Sequence, residues 1–278
     1  MNRKQHGVGL IELMIAMLIG TFLVAGMLSL FTGNKRTYLY QQSQAMESES
    51  QRFASRLLTQ LFHQVGHSAL STDSINGKHM VFPEQYGFKA GQVLFATNPG
   101  SIGEQVIDYR YAAGPGIITC GGADFQEEVD TTNSPTNTVL VTQRIERLSI
   151  QNGILVCDSF NIIDGEVQTA DPQIALIGDM AVPAAQQIEV VDMDVEYGFD
   201  FQGNDDAVDR YLKANQVAAI ELDSIDLDPA EASVLTTPWQ RVKSVNIALH
   251  IRTGGRITDE PQIYNYSVDL SNLIETAQ

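Results

Sequence analysis

The chain has 278 residues, with 34 acids against 17 bases and a formal net charge of −17. Such a surface repels phosphate backbones, which disfavours general nucleic-acid binding. With 44% hydrophobic and 18% charged residues there is material for a real core, and no long stretch has the composition of disorder. The first element is an apolar run from Val8 to Phe31 that contains no Pro and a single charge, Glu12. As a helix it measures about 36 Å, enough to cross a bilayer's hydrocarbon with some tilt. The run is longer than the apolar part of a secretory signal, and "FTGNKRTYLYQQ" after it lacks an A-x-A cleavage pattern, so we read a retained span. Arg3 and Lys4 precede it and Lys35 and Arg36 follow it, so flanking charge does not orient it. Glu12 is the residue to explain. A carboxylate in a span costs several kcal/mol at the centre and less at the interface. Either it rests near the headgroups, or a partner charge is matched to it.

Beyond Phe31 the helical pattern continues without Pro to about Leu70. Met46, Phe53, Leu57, Leu61 and Val65 recur on one side, with Ala54, Leu58 and Phe62 beside them, and this stripe needs a sheet to pack on. Gly20, Gly26 and Gly33 weaken the upper half and would let it bend. "HQVGH", His63 to His67, mimics H-E-x-x-H, but Gln64 stands where the general base would be, so zinc proteolysis fails on chemistry.

From about residue 80 the period becomes two. "EQVIDYRYA", "NTVLVTQRIERLSIQ", "GILVCDSF", "QIALIGDMAV", "QIEVVDMDVEYGF", "RVKSVNIALHIR" and "IYNYSVDL" alternate apolar with polar residues between turn-rich breaks. The expected class is α+β, one long N-terminal helix laid on antiparallel sheets. No G-x-S-x-G, P-loop or G-x-G-x-x-G motif occurs, and we expect no enzyme activity. "DFQGNDDAVD" clusters oxygen ligands at Asp200, Asn204, Asp206 and Asp209, the residues a Ca²⁺ would take. It lacks the order of a Ca²⁺ loop, so a plain acidic turn without a cofactor is the expectation. Fifteen acids lie between Asp171 and Glu231 against only Arg210 and Lys213, mostly a solvated face and in second place a docking surface. Cys120 and Cys157 suggest a disulfide only in an exported protein.

"HGVGLIELMIAML" resembles the prepilin signature of type IV pilins and type II secretion pseudopilins: a short basic leader ending in Gly, an apolar helix beginning at once, and Glu as the fifth mature residue. The resemblance implies that residues 1–7 are a leader, that the prepilin peptidase cuts between Gly7 and Val8, and that Val8 becomes an N-methylated terminus. Val8 and Gly9 depart from the usual Phe and Ser or Thr, which bears on methylation, and Ser29 stands where many major pilins have Pro. Glu12 would attract the new amine of a neighbouring subunit, each charge compensating the other's lost hydration.

Further along, Tyr197, Gly198, Asp200, Asp209, Tyr211, Trp239 and Val242 occupy positions similar to those of the PilW class of minor pilins. That likeness implies a pilin-like fold in four segments: 1–7 leader, 8–31 transmembrane and assembly helix, 32–70 amphipathic continuation, 71–278 periplasmic β-rich domain. It implies a Cys120–Cys157 disulfide in the periplasm. It further implies insertion in the inner membrane with the N-terminus cytoplasmic, then placement at the pilus tip on the cell surface. Implied partners are the major pilin, I-, H- and K-type minor pilins, the assembly platform and a PilY-type tip adhesin. Implied roles are pilus initiation, twitching motility and adhesin display. The alternative is a J-type pseudopilin of type II secretion.

Overall fold

The computed structural model describes residues 9–67, 82–97, 105–114, 116–123, 128–129, 139–140, 142–163, 166–167, 171–182, 187–202, 207–222, 236–254 and 260–270. Its first element, α1 (Leu10–His63), is one helix of 54 residues, a rod of about 80 Å. Gly20, Gly26 and Gly33 are carried without a break, each with open space where a Cβ would stand. The helix stops at His63 rather than near Leu70. Gly66 takes φ +75°, a left-handed conformation open to Gly that a continuing helix does not admit.

The strands are β1 (Leu94–Thr97), β2 (Val106–Ala112), β3 (Glu128–Val129), β4 (Val139–Leu140), β5 (Thr142–Gln151), β6 (Ile154–Ile163), β7 (Glu166–Val167), β8 (Asp171–Ile177), β9 (Ile188–Phe199), β10 (Arg210–Leu212), β11 (Val242–Thr253) and β12 (Gln262–Asp269). A short helix, α2 (Ala214–Ala218), follows β10, and a 3-10 turn (Pro238–Arg241) leads into β11. One sheet runs β1-β2-β5-β6-β7 with β8 also on β6; the second runs β10-β9-β11-β12; β3 and β4 pair alone. The described pairings are antiparallel, so the α+β architecture expected from the alternation is the one observed. Each of the seven alternating stretches holds a strand. β1, β10 and α2 were not anticipated, because three to five residues are too few to show a period. β5 and β6 meet at Asn152–Gly153, with φ +52° and +76°, the backbone that a tight primed hairpin turn demands.

The lower part of α1 lies on the second sheet. Ala54, Leu58, Leu61, Phe62 and Val65 are buried, in one core with Leu148, Val195, Ile247, Leu249 and Val268. Phe53, expected inside, is 53% exposed: the buried row is Ala54–Leu58–Phe62, and one residue round the helix is about 100° away. Tyr264 Oη donates to the Glu47 carboxylate and Tyr266 Oη to the Gln51 carbonyl (3.4 Å), fixing helix to β12. At the helix end the Gln64 carboxamide makes both of its bonds to Ile118, Nε2 to O at 2.6 Å and N to Oε1 at 2.8 Å.

Candidate assembly surface

The upper half of α1 has no cover of its own. From Leu10 to Gln42 no residue is buried, and Ser43 is the first that is. Phe22 is 75% and Leu23 62% exposed, within a window apolar enough to cross a membrane. A continuous apolar surface of this length requires lipid or apolar protein around it. Two of its threonines are turned back on the backbone: Thr21 Oγ1 donates to Leu18 O (2.9 Å) and Thr32 Oγ1 to Leu28 O (3.0 Å). That leaves no hydroxyl of these two without a partner in a medium that offers none. At Gly20 a Cβ would meet nothing within 4 Å, and the surface is shallowly concave between Met17, Thr21, Val24 and Leu28.

Glu12 sits in the first turn of α1, where its own amide donates to Gly9 O (2.9 Å). The unpaired amides of a helix start carry partial positive charge, so an acid there is favoured. Gly7 and Val8, like Arg3 and Lys4, lie outside the described residues.

The head is braced by a buried polar grid. Strand register sets Tyr109 opposite Glu146, Tyr111 opposite Arg144, and Ile107 opposite Leu148. On the other side of β5, Glu146 faces Ser159, Arg144 faces Asn161 and Leu148 faces Cys157. Glu146 is 0% exposed. It accepts from Tyr109 Oη (2.6 Å), Arg144 Nε (3.0 Å) and the Cys120 amide (2.8 Å). Three donors, one of them the Arg144 cation, offset the cost of burying this carboxylate. Burial, then the Glu146 charge, pushes the Tyr109 hydroxyl well above its ordinary value, so it stays a donor.

Cys120 and Cys157 form a disulfide, Cα atoms 6.5 Å apart, that ties the loop after β2 to β6. A bridge closing a loop with sequence separation 37 stabilises by roughly 4 kcal/mol in the chain-entropy model. Cys120, Glu146 and Cys157 converge closely enough to hold a metal ion, but both sulfurs are spent on the bridge.

The second face of the same sheet carries Arg110, fully buried between the rings of Phe82 and Phe88 at 5.0 and 4.7 Å. It donates to the carbonyls of Gln92 (2.7 Å), Pro83 (2.7 Å) and Lys89 (3.0 Å), and burial lowers its guanidinium to about 9. Neither this pin nor Glu146 was anticipated. The signal was present: Arg144, Glu146 and Leu148 share one face by alternation, which places two charges on an apolar side.

Among the described residues, several acids of the stretch are committed to the fold. Asp209 accepts from the Phe201 amide (2.7 Å), the Gln202 amide (3.2 Å) and Gln202 Nε2 (3.0 Å). Asp200 is buried, accepts from the Gln202 amide (3.0 Å) and lies 3.6 Å from Arg241 Nη2. Both close a turn, while Asn204 and Asp206 lie outside the described residues. Lys213 joins Asp194 (2.6 Å) and Glu196 (3.2 Å). Partial burial opposes its charge, yet these two carboxylates hold its ammonium above the ordinary value. His63 ends the helix and His67 lies beyond it, so the pair does not share a helical face.

The other motif residues meet at one corner. Tyr197 packs edge-on against Trp239 at 4.9 Å, and Val242 is buried below. A Cβ at Gly198 would come within 2.2 Å of Ser244 Oγ, whose hydroxyl bonds Tyr211 Oη at 3.2 Å. Gly198 is therefore required by close approach between β9 and β11.

Residues 145–269, which span β5 to β12, match the family Type IV Pilus-assembly protein W. Residues 2–28 match the prokaryotic N-terminal methylation motif. The chain carries a PilW domain behind a prepilin motif. Together the two matches support a type IV pilus-related minor pilin, and the apolar half of α1 fits a membrane anchor. No curated protein and no solved structure matches it. The PilW match encloses the whole Tyr197–Val242 corner, Glu146 and the β6 side of the polar grid, and one of the two bridged cysteines, Cys157; Arg144 lies just before it. The methylation motif encloses Gly7, Val8 and Glu12.

Proposed function

We propose that this PilW-domain protein is a structural minor pilin that initiates assembly of a type IV pilus and sits at its tip. The prepilin peptidase cuts between Gly7 and Val8, Val8 is methylated, and the protein rests in the inner membrane with the N-terminus cytoplasmic and the head periplasmic. From there α1 leaves the bilayer by packing against other minor pilins and the major pilin at the assembly platform. Glu12 draws the terminal amine of its neighbour, and the head contributes to a cap that displays a PilY-type adhesin and supports twitching motility.

One observation carries this reading: a single unbroken helix is packed on the head below Ser43 and exposed above it. A bare apolar half joined to a braced head suits a subunit that exchanges lipid for neighbouring helices without refolding. The PilW match favours a pilus over type II secretion. Mass spectrometry of the mature N-terminus, in cells with and without the prepilin peptidase, tests it. A methylated Val8 start that reverts to Met1 without the peptidase is expected; Met1 in both contradicts the proposal.

A further inference from the structure

Lys35 and Arg36 do not orient the span, and the assembly reading gives them no part. We propose that Lys35, Arg36, Tyr38 and Tyr40 form a collar that binds anionic phospholipid headgroups on the head's side of the membrane. The collar sets the depth of α1 and so places Glu12 at the opposite boundary. This rests on the reading of Leu10–Phe31 as a membrane span.

Length is the first argument. Glu12 and Lys35 are about 35 Å apart along the helix, against a hydrocarbon layer of about 30 Å. With Lys35 at one boundary, Glu12 falls at the other and not in the oil. From Lys35 to Tyr40 the collar rises about 7 Å, close to the depth of one headgroup layer.

Distribution is the second. At about 100° per residue, Arg36, Tyr40 and Tyr38 lie roughly 100°, 140° and 300° round from Lys35, covering an arc of about 200° and leaving one sector of about 160°. In that sector stands Thr37, whose hydroxyl is turned back to the Gly33 carbonyl at 3.1 Å. A protein docking on one side would select one face. A medium that surrounds the helix selects none.

Chemistry is the third. Ammonium and guanidinium groups suit lipid phosphates, and tyrosine rings rest with the ring in oil and the hydroxyl in water. Tyr38 is 65% and Tyr40 37% exposed, and Lys35 and Arg36 are exposed as well, so the chain's own head leaves the collar open.

The full chain, carrying Tyr38→Trp, is reconstituted in phosphatidylcholine vesicles holding either pyrene-labelled phosphatidylglycerol or pyrene-labelled phosphatidylcholine. The signal of Trp239 in the parent chain is subtracted. Energy transfer from position 38 to the labelled phosphatidylglycerol should exceed that to the labelled phosphatidylcholine about fivefold or more, and Lys35→Ala with Arg36→Ala should equalise the two. Equal transfer with both basic residues present overturns the collar. So does a position 38 reached by neither probe and shielded only when other subunits are present, which marks a subunit contact instead. Phe22→Trp separates this from the underlying reading. If a quencher at the bilayer midplane reaches position 22 while position 38 shows no preference, the collar alone fails; if it does not reach position 22, span and collar fail together.

Discussion

Leu23 and Leu58 belong to the same helix, yet one is 62% exposed and the other fully buried. The difference teaches how the molecule divides its work. Below Ser43, α1 is an ordinary core helix whose row Ala54–Leu58–Phe62 faces two sheets. Above it, the same residue types are exposed and lie against no other described element. The lower half is satisfied by intramolecular packing, and the upper half is completed by whatever surrounds it. The two halves share one continuous helix but no packing, so a change of surroundings above need not disturb the head below.

The sharpest way to break that comparison is at the grid. Glu146→Ala leaves the Arg144 guanidinium buried beside an empty place, and should destabilise the head by about 3–5 kcal/mol. Urea unfolding of the full chain in detergent, followed by emission of the single Trp239, reads it out. A loss below about 1 kcal/mol would show that the grid is decoration.

Next comes the pair of leucines. Leu58→Ala should cost about 2–5 kcal/mol in the same assay. Leu23→Ala should stay within about 0.5 kcal/mol, because the head never touches that side chain. Equal effects would mean that the two halves are not independent.

The smallest effect is a pH dependence. Burial holds the His67 imidazole below its ordinary value of 6.5. The unfolded chain therefore takes up more protons than the folded one as pH falls through 6.5, and stability drops on acidification below that point. His67→Gln should flatten this part of the profile of unfolding midpoint against pH. An unchanged slope would remove His67 as its source.

How much of this was legible in the sequence depends on the range of the signal. The span, its lone acid and the seven alternating stretches are local patterns of 3.6 or 2 residues, and the structure bears out the helix and the strands. The Cys120–Cys157 pairing followed from a resemblance and is observed. What escaped depends on which strands meet. The burial of Glu146 needs Tyr109 from β2 on one side and Ser159 from β6 on the other, and no spacing within β5 reveals those neighbours. Phe53 was misplaced by a single position, because a broad apolar stripe does not say which of its edges faces the sheet. The helix end was overrun, since helical periodicity carries on past Gly66 while the backbone does not. The Tyr197–Val242 residues were visible as a motif, but their role as a packing corner becomes clear only when Gly198 is seen beneath Ser244.

The central claim is that Glu12 is held for assembly and not for insertion or folding, and one variant tests it directly. Glu12→Val in the full chain should leave membrane insertion and head unfolding as they are, while the amount of this subunit recovered in sheared pili falls by an order of magnitude. Recovery in pili at the parent level would contradict the account.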